Sequence, residues 1–159
     1  MKRIYFANAL FSNAEYYFNE MLVKKIRDLN KFNVYAPQEN LSINDKSKSA
    51  DSKDIYRADK NELDKCDILV AVLDGQVIDP GVAAEIGIFA QCKKPIFGLI
   101  TDSRKTGYLK NNEPKLEIMK TQVAESQFMY FNLFVIGAIK ENGDIFDSID
   151  KLLNRLNSL

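Results

Sequence analysis

Histidine and tryptophan are absent from this chain of 159 residues, cysteine occurs twice, and glycine and proline are few at 7 and 4. Without histidine there is no Ser/His/Asp or Cys/His arrangement, and Cys66 and Cys92 as the only soft ligands leave no zinc site. Two cysteines far apart in sequence do not build a disulfide framework, so both are expected as reduced thiols in a cytoplasmic protein. Charge of one sign is not in excess either: 22 basic residues balance 22 acidic ones. That balance removes any overall pull toward phosphate backbones or anionic lipid, and neither a nucleic acid polymer nor a membrane is expected as a partner. No apolar run approaches the roughly 20 residues of a membrane-spanning helix. Met1, Lys2 and Arg3 lead into a short apolar stretch, broken at Asn8 and followed by no small-residue cleavage site, which reads as a strand rather than a signal peptide. With 46% hydrophobic residues, collagen-like, disordered and disulfide-scaffold classes are set aside. One globular domain over residues 1–159 is expected, and its catalysis, if any, rests on carboxylates, Tyr, Lys or Ser.

What is present is an alternation of short apolar runs with segments of helical period. Strands are expected at Ile4–Asn8, Phe32–Ala36, Asp67–Leu73 and Pro95–Ile100, the third so uniformly apolar that both its faces must be covered. Helices are expected at Asn13–Leu29, Asp54–Leu63, Pro80–Cys92 and Asp147–Leu159. The pattern implies an α/β fold: a doubly wound, flavodoxin-like or Rossmann-like parallel sheet of five strands with helices on both faces. Between these elements, Leu41–Asp54 reads as a long polar loop of a length that suits a lid, with Lys46 and Lys48 on a solvated surface. Thr101–Pro114 reads as a second polar loop and Lys115–Ser126 as helical. Phe128–Ile139 is an apolar run that periodicity assigns to neither helix nor strand, and Asn142-Gly143 reads as a turn.

In open α/β sheets ligands sit beyond the carboxyl ends of the strands, which directs attention to the loop after the central strand. It runs Asp74, Gly75, Gln76, Val77, Ile78, Asp79, Pro80, Gly81, and a helix follows with Val82, Ala83, Ala84, Glu85, Ile86, Gly87. Asp79 suits an N-cap and Pro80 the first helical position. Glu85 is the anomaly. A carboxylate among Val82, Ala83, Ala84, Ile86 and Phe89 needs a partner or a task, and the field of the helix N-terminus would help keep it ionised. An ionised carboxylate in an apolar cleft can act as a nucleophile. Gly81 and Gly87 would let a flat ligand approach the backbone, and the run has neither the Gly-x-Gly-x-x-Gly pattern nor the Walker lysine of a phosphate loop.

The run from Asp79 to Gly87 resembles the signature of the nucleoside 2-deoxyribosyltransferase family, Asp, two residues later Gly, then Glu, then Gly. Ile4-Tyr5-Phe6 resembles that family's N-terminal Tyr motif, Asp59 matches the acid ahead of its central strand, and Phe131-Asn132-Leu133-Phe134 resembles its Asn-Leu-Met motif. Taken alone, Asp59 reads as a solvated helix charge, Tyr5 as core and Asn132 as a satisfied buried amide; their order along the chain gives them weight. The resemblance implies transfer of a 2-deoxyribosyl group from a 2'-deoxyribonucleoside to a free purine or pyrimidine base, without cofactor or metal, in nucleotide salvage. Glu85 would be the nucleophile, Asp59 and Asp79 would handle the base and its proton, and Tyr5 would orient Glu85. Asp74 and Gly81 would lie at the substrate, Asp74 being equally readable as a cap of the strand end. Asn132 and Phe134 would reach the site of a neighbouring subunit in a homo-oligomer.

Two departures are visible. Phe134 stands where the family has Met, and Ala7-Asn8-Ala9-Leu10-Phe11 replaces the family's Gly-Ala-Gly-Trp-Phe type of first loop, so base preference does not carry over. Two other readings share the site. One is a 2'-deoxynucleoside 5'-monophosphate N-glycosidase, with Ser42, Ser47 and Arg57 as phosphate-binding candidates. The other is a non-catalytic nucleoside-binding module on the same fold.

Overall fold

The computed structural model describes residues 1–44, 50–102, 121 and 131–159, the side chains of 43 and 44 excepted. Five strands, β1 (Lys2–Ala7), β2 (Phe32–Tyr35), β3 (Ile68–Val72), β4 (Ile96–Leu99) and β5 (Gly143–Phe146), form one sheet in the order β2-β1-β3-β4-β5. Every pairing is parallel. All residues of β3 are buried, as a near-continuous apolar run at the centre of a parallel sheet requires. Because the chain steps from β1 outward to β2 and then back across β1 to β3, the loops leaving β1 and β3 diverge and open a crevice at the carboxyl ends of these two strands.

Helices cover both faces. On one side α1 (Asn13–Arg27) and the closing helix α6 (Ile149–Asn157) bury Leu22, Ile26, Leu152 and Leu156 against Ile4, Phe6, Val70 and Phe97. On the other side α3 (Ser52–Lys65), α4 (Pro80–Ala90) and α5 (Leu133–Asn142) bury Leu63, Val82, Ile86, Phe89, Ile136 and Ile139 against Tyr5, Leu69, Ala71 and Ile96. The two clusters alternate along each strand, Ile4 and Phe6 facing one and Tyr5 and Ala7 the other, as the period of two dictates. The doubly wound α/β architecture expected from the sequence is therefore the one observed. No helix among the described residues is long and apolar enough to cross a membrane, and both cysteines are free.

Several boundaries differ from the expectation. α1 stops at Arg27, with Asn30 in the left-handed region at φ 56°. After a short 3₁₀ turn at Pro37–Glu39, the segment expected as a polar loop from Leu41 instead begins with a single helical turn, α2 (Leu41–Asn44). It ends early because Asp51 starts α3 with a reciprocal cap, its side chain accepting from the Asp54 backbone while Asp54 accepts from that of Asp51. Residues 45–49 of it, with Lys46, Ser47 and Lys48, lie outside the described residues, as do nearly all of the expected loop and helix between 103 and 126. The apolar run that periodicity left open is helical from Leu133, its part before residue 131 again lying outside. Asn142-Gly143 is not a turn: Gly143 is the first residue of β5 and pairs with Ile96. Its backbone is extended, and a Cβ there would stand 1.9 Å from the Ile96 carbonyl oxygen, so the glycine serves close strand approach rather than chain reversal.

Candidate active site

The crevice between β1 and β3 is where the chemistry-bearing side chains meet. Asp79 caps α4, its Oδ1 accepting from the backbone N–H of Gly81 at 2.8 Å and of Val82 at 3.0 Å, and Pro80 occupies the first turn where no N–H is needed. With the helix start fixed, Val82, Ile86 and Phe89 face the sheet and Glu85 falls beside that buried stripe. Tyr5, near the carboxyl end of β1 and itself fully buried, donates its hydroxyl to Glu85 Oε1 at 2.6 Å.

Burial pushes the Glu85 carboxyl up to about 7, the Tyr5 hydrogen bond pulling it down and the charges of Asp59 and Asp79 raising it further. Burial outweighs the help that the helix field was expected to give in keeping Glu85 ionised. The residue stands in the second turn, beyond the first turn to which that field is largely confined, and desolvation dominates. Burial, followed by the charge of Glu85, likewise drives the Tyr5 phenol far above its ordinary value, so it remains a proton donor throughout the working range.

A second tyrosine belongs to the site. Tyr35, the last residue of β2, is the register partner of Tyr5, and their rings lie 5.3 Å apart at 39°. Its hydroxyl donates to Asp59 Oδ1 at 3.1 Å and accepts from Asn40 Nδ2 at 3.0 Å. Burial raises the Asp59 carboxyl above its usual range, opposed by the Tyr35 hydrogen bond. Glu85, Asp59, Asp79 and Tyr5, singled out from sequence, are thus brought together. Tyr35 and Asn40 were not singled out, although Tyr35 ends a strand and the rule that directs attention to strand ends covers it as well.

The remaining residues are engaged elsewhere. Asp74 ties the loop after β3 to the loop after β4: its Oδ1 accepts from the backbone N–H of Thr101 at 2.6 Å and of Asp102 at 3.2 Å, and its Oδ2 from the Thr101 hydroxyl. A Cβ at Gly81 would stand 3.0 Å from Asp79 Oδ1, so this glycine keeps the capping carboxylate clear, while at Gly87 an added Cβ would meet nothing within 4 Å. Asn132 is exposed and caps α5, accepting from the Phe134 N–H at 3.0 Å. Phe134 is 86% exposed. The first loop is anchored from below by Asn19, buried in α1, which accepts from Asn8 Nδ2 at 2.6 Å and donates to the Ala9 carbonyl at 3.0 Å. Of the phosphate-binding candidates, the Ser42 hydroxyl donates to Asn40 Oδ1 at 2.6 Å and Arg57 is exposed. Among the described residues no three His, Cys, Asp or Glu side chains group as a metal site.

Tyr5, Asp59, Asp79 and Glu85, which came from three separate stretches of the sequence, meet at this one place, and the nucleoside 2-deoxyribosyltransferase family model matches residues 4–133. The chain belongs to the nucleoside 2-deoxyribosyltransferase family. Among solved structures this family member is similar to a conserved protein from Enterococcus faecalis V583, at 45% identity over 99% of this chain and 98% of that one, with a TM-score of 0.82. It shares its fold with a 2-desoxiribosyltransferase from Leishmania mexicana, at 22% identity over 99% and 98% of the two chains and a TM-score of 0.64. It also shares it with a CMP N-glycosidase from Clostridium botulinum, at 18% identity over 98% and 99% and a TM-score of 0.50. No curated protein matches the chain.

Proposed function

We propose that this chain transfers a 2-deoxyribosyl group from a 2'-deoxyribonucleoside to a free purine or pyrimidine base by double displacement through Glu85. The observation that carries the proposal is the part-buried Tyr5–Glu85 pair at 2.6 Å. Tyr5 occupies Oε1, leaving Oε2 to attack the anomeric carbon. In the first displacement an Oε2–C1' bond forms and the C1'–N bond to the base breaks. The base leaves with a proton supplied by Asp59 or Asp79, whichever is protonated beside it. In the second, the incoming base attacks C1', gives up its proton to the same acid and restores Glu85, for net retention. The apolar surroundings that hold Glu85 near neutrality also make its carboxylate unstable until positive charge develops on the sugar, so the attraction is greatest in the transition state.

Asn132 and Phe134 serve a second subunit's site in this reading. Mixing Asn132→Ala with Glu85→Ala protein should then restore part of the activity that each variant lacks.

The deciding experiment is chromatography of the protein incubated with 2'-deoxyinosine and adenine, and in parallel with thymidine and adenine. Formation of 2'-deoxyadenosine is expected with at least one donor and should vanish in Glu85→Ala. An intact-mass gain of one deoxyribosyl group, absent in that variant, would mark the ester. Free base and deoxyribose without a new nucleoside would instead indicate an N-glycosidase. Nucleoside binding that survives Glu85→Ala without bond cleavage would indicate a binding module.

A further inference from the structure

We propose that Tyr35, oriented by Asn40, is a positioning residue that fixes which oxygen of Asp59 carries the catalytic proton. The inference rests on the deoxyribosyl-transfer reading with Asp59, rather than Asp79, as the acid, and concerns a chain of hydrogen bonds whose direction is set at its far end. The Ser42 backbone N–H can only donate, and it donates to Asn40 Oδ1 at 3.1 Å, so that oxygen of the amide faces Ser42. Asn40 Nδ2 is thereby turned to Tyr35 and donates to its hydroxyl at 3.0 Å. The Tyr35 hydroxyl, having accepted, donates its own hydrogen to Asp59 Oδ1 at 3.1 Å. With Oδ1 held as an acceptor, the proton of a protonated Asp59 resides on Oδ2. Tyr35 is in turn fixed by its place in the sheet, its Cα in register with Tyr5 and its ring tilted against the Tyr5 ring.

Among the described residues, the groups around this pair are Tyr5 from β1, Glu85 from α4, Asn40 from the segment after β2 and Glu62 from the same helix as Asp59, with Arg3 of β1 paired to Glu62 at 2.6 Å. Arg3 is taken up by Glu62, and the hydrogen bond from Tyr35 is the contact that favours the charged form of Asp59. The segment after β2 thus reaches Asp59 through one amide and one phenol.

Tyr35→Phe tests this, because it keeps the ring against Tyr5 and deletes only the hydroxyl. A fall in kcat of about tenfold with KM within about twofold is expected, part of the roughly 10²–10⁴ that a well-placed general acid contributes. The alkaline limb of the pH profile should move to higher pH, since Asp59 loses the donor that favours its ionised form. Carboxyl ¹³C NMR of the free protein, with the Asp59 signal assigned by its loss in Asp59→Asn, should show the Asp59 midpoint rising in Tyr35→Phe and, less, in Asn40→Ala. Thermal melting of each variant separates a loss of fold from a loss of positioning. An unchanged Asp59 midpoint would overturn the inference, as would an unchanged kcat and pH profile in an otherwise active enzyme. Wild-type protein that cleaves no nucleoside would overturn the transfer reading instead, and the NMR titration would still decide the Tyr35–Asp59 bond.

Discussion

Glu85 should make the protein less stable precisely where it makes it active, and Glu85→Gln separates the two effects. In the unfolded chain this carboxyl titrates near 4.5, and in the fold burial pushes it up to about 7. At 1.36 kcal/mol per pH unit, ionising Glu85 within the fold therefore costs about 3 kcal/mol. The sign follows from proton counts. Between these two values the native state holds a proton that the unfolded state has lost, so stability falls as pH rises through the window and levels off above it. An amide keeps the size of the side chain and an acceptor for the Tyr5 hydroxyl but has no charge to lose. Urea unfolding of both proteins, at fixed protein concentration and at intervals from pH 4.5 to 8, should show the stability of Glu85→Gln relative to wild type increasing by about 3 kcal/mol across the window. In melting temperature that is roughly 6–12 °C for a chain of this size. The other titrating groups are common to both proteins, so the pH dependence of the difference reports Glu85 and its coupling to Asp59 and Asp79. Base exchange should be lost in the variant at every pH. A difference in stability that does not change with pH would refute the reasoning, because Glu85 would then ionise as freely in the fold as in water and would hold no poised charge.

Three further outcomes follow from particular contacts. Tyr5→Phe removes the hydrogen bond that favours ionised Glu85, a charge-assisted bond of about 1.5–3 kcal/mol, so the acid limb of the activity profile should move up by roughly one pH unit or more and activity at pH 6 should fall more than at pH 8. Asp79 has two tasks that substitutions separate. Asp79→Ala should cost about 1 kcal/mol in unfolding experiments through loss of the cap, whereas Asp79→Asn should retain most of the stability and lose turnover if the carboxyl handles the base's proton. Gly143→Ala places a methyl group against the Ile96 carbonyl oxygen and should lower stability by about 3 kcal/mol or more, read as a fall in melting temperature with little change in KM for the folded fraction.

The parallel sheet was legible because strands buried on both faces have little choice of composition: Ile68–Val72 is apolar throughout, and the Pro, Asp and Ser residues around the helices mark their starts. The fifth strand was not placed. Gly143–Phe146 has only four residues, and a leading Asn-Gly pair looks the same in sequence whether glycine is there for a positive φ or for an approaching carbonyl. Glu85 was legible because a lone carboxylate within an apolar helix contradicts its surroundings. What sequence could not supply was the balance at that position, since the cost of burial depends on how closely Tyr5 and the flanking helices pack. Tyr35 contradicts nothing: an aromatic residue at the end of a short strand is what a core position looks like. Its role depends on register with Tyr5, on Asn40 after the next turn and on Asp59 in α3, three contacts that a local pattern does not contain. The general rule nevertheless reaches it. Ligands gather outside the carboxyl ends of the strands, so β2, the neighbour of β1, places Tyr35 beside the site by the same argument that led from β3 to Glu85.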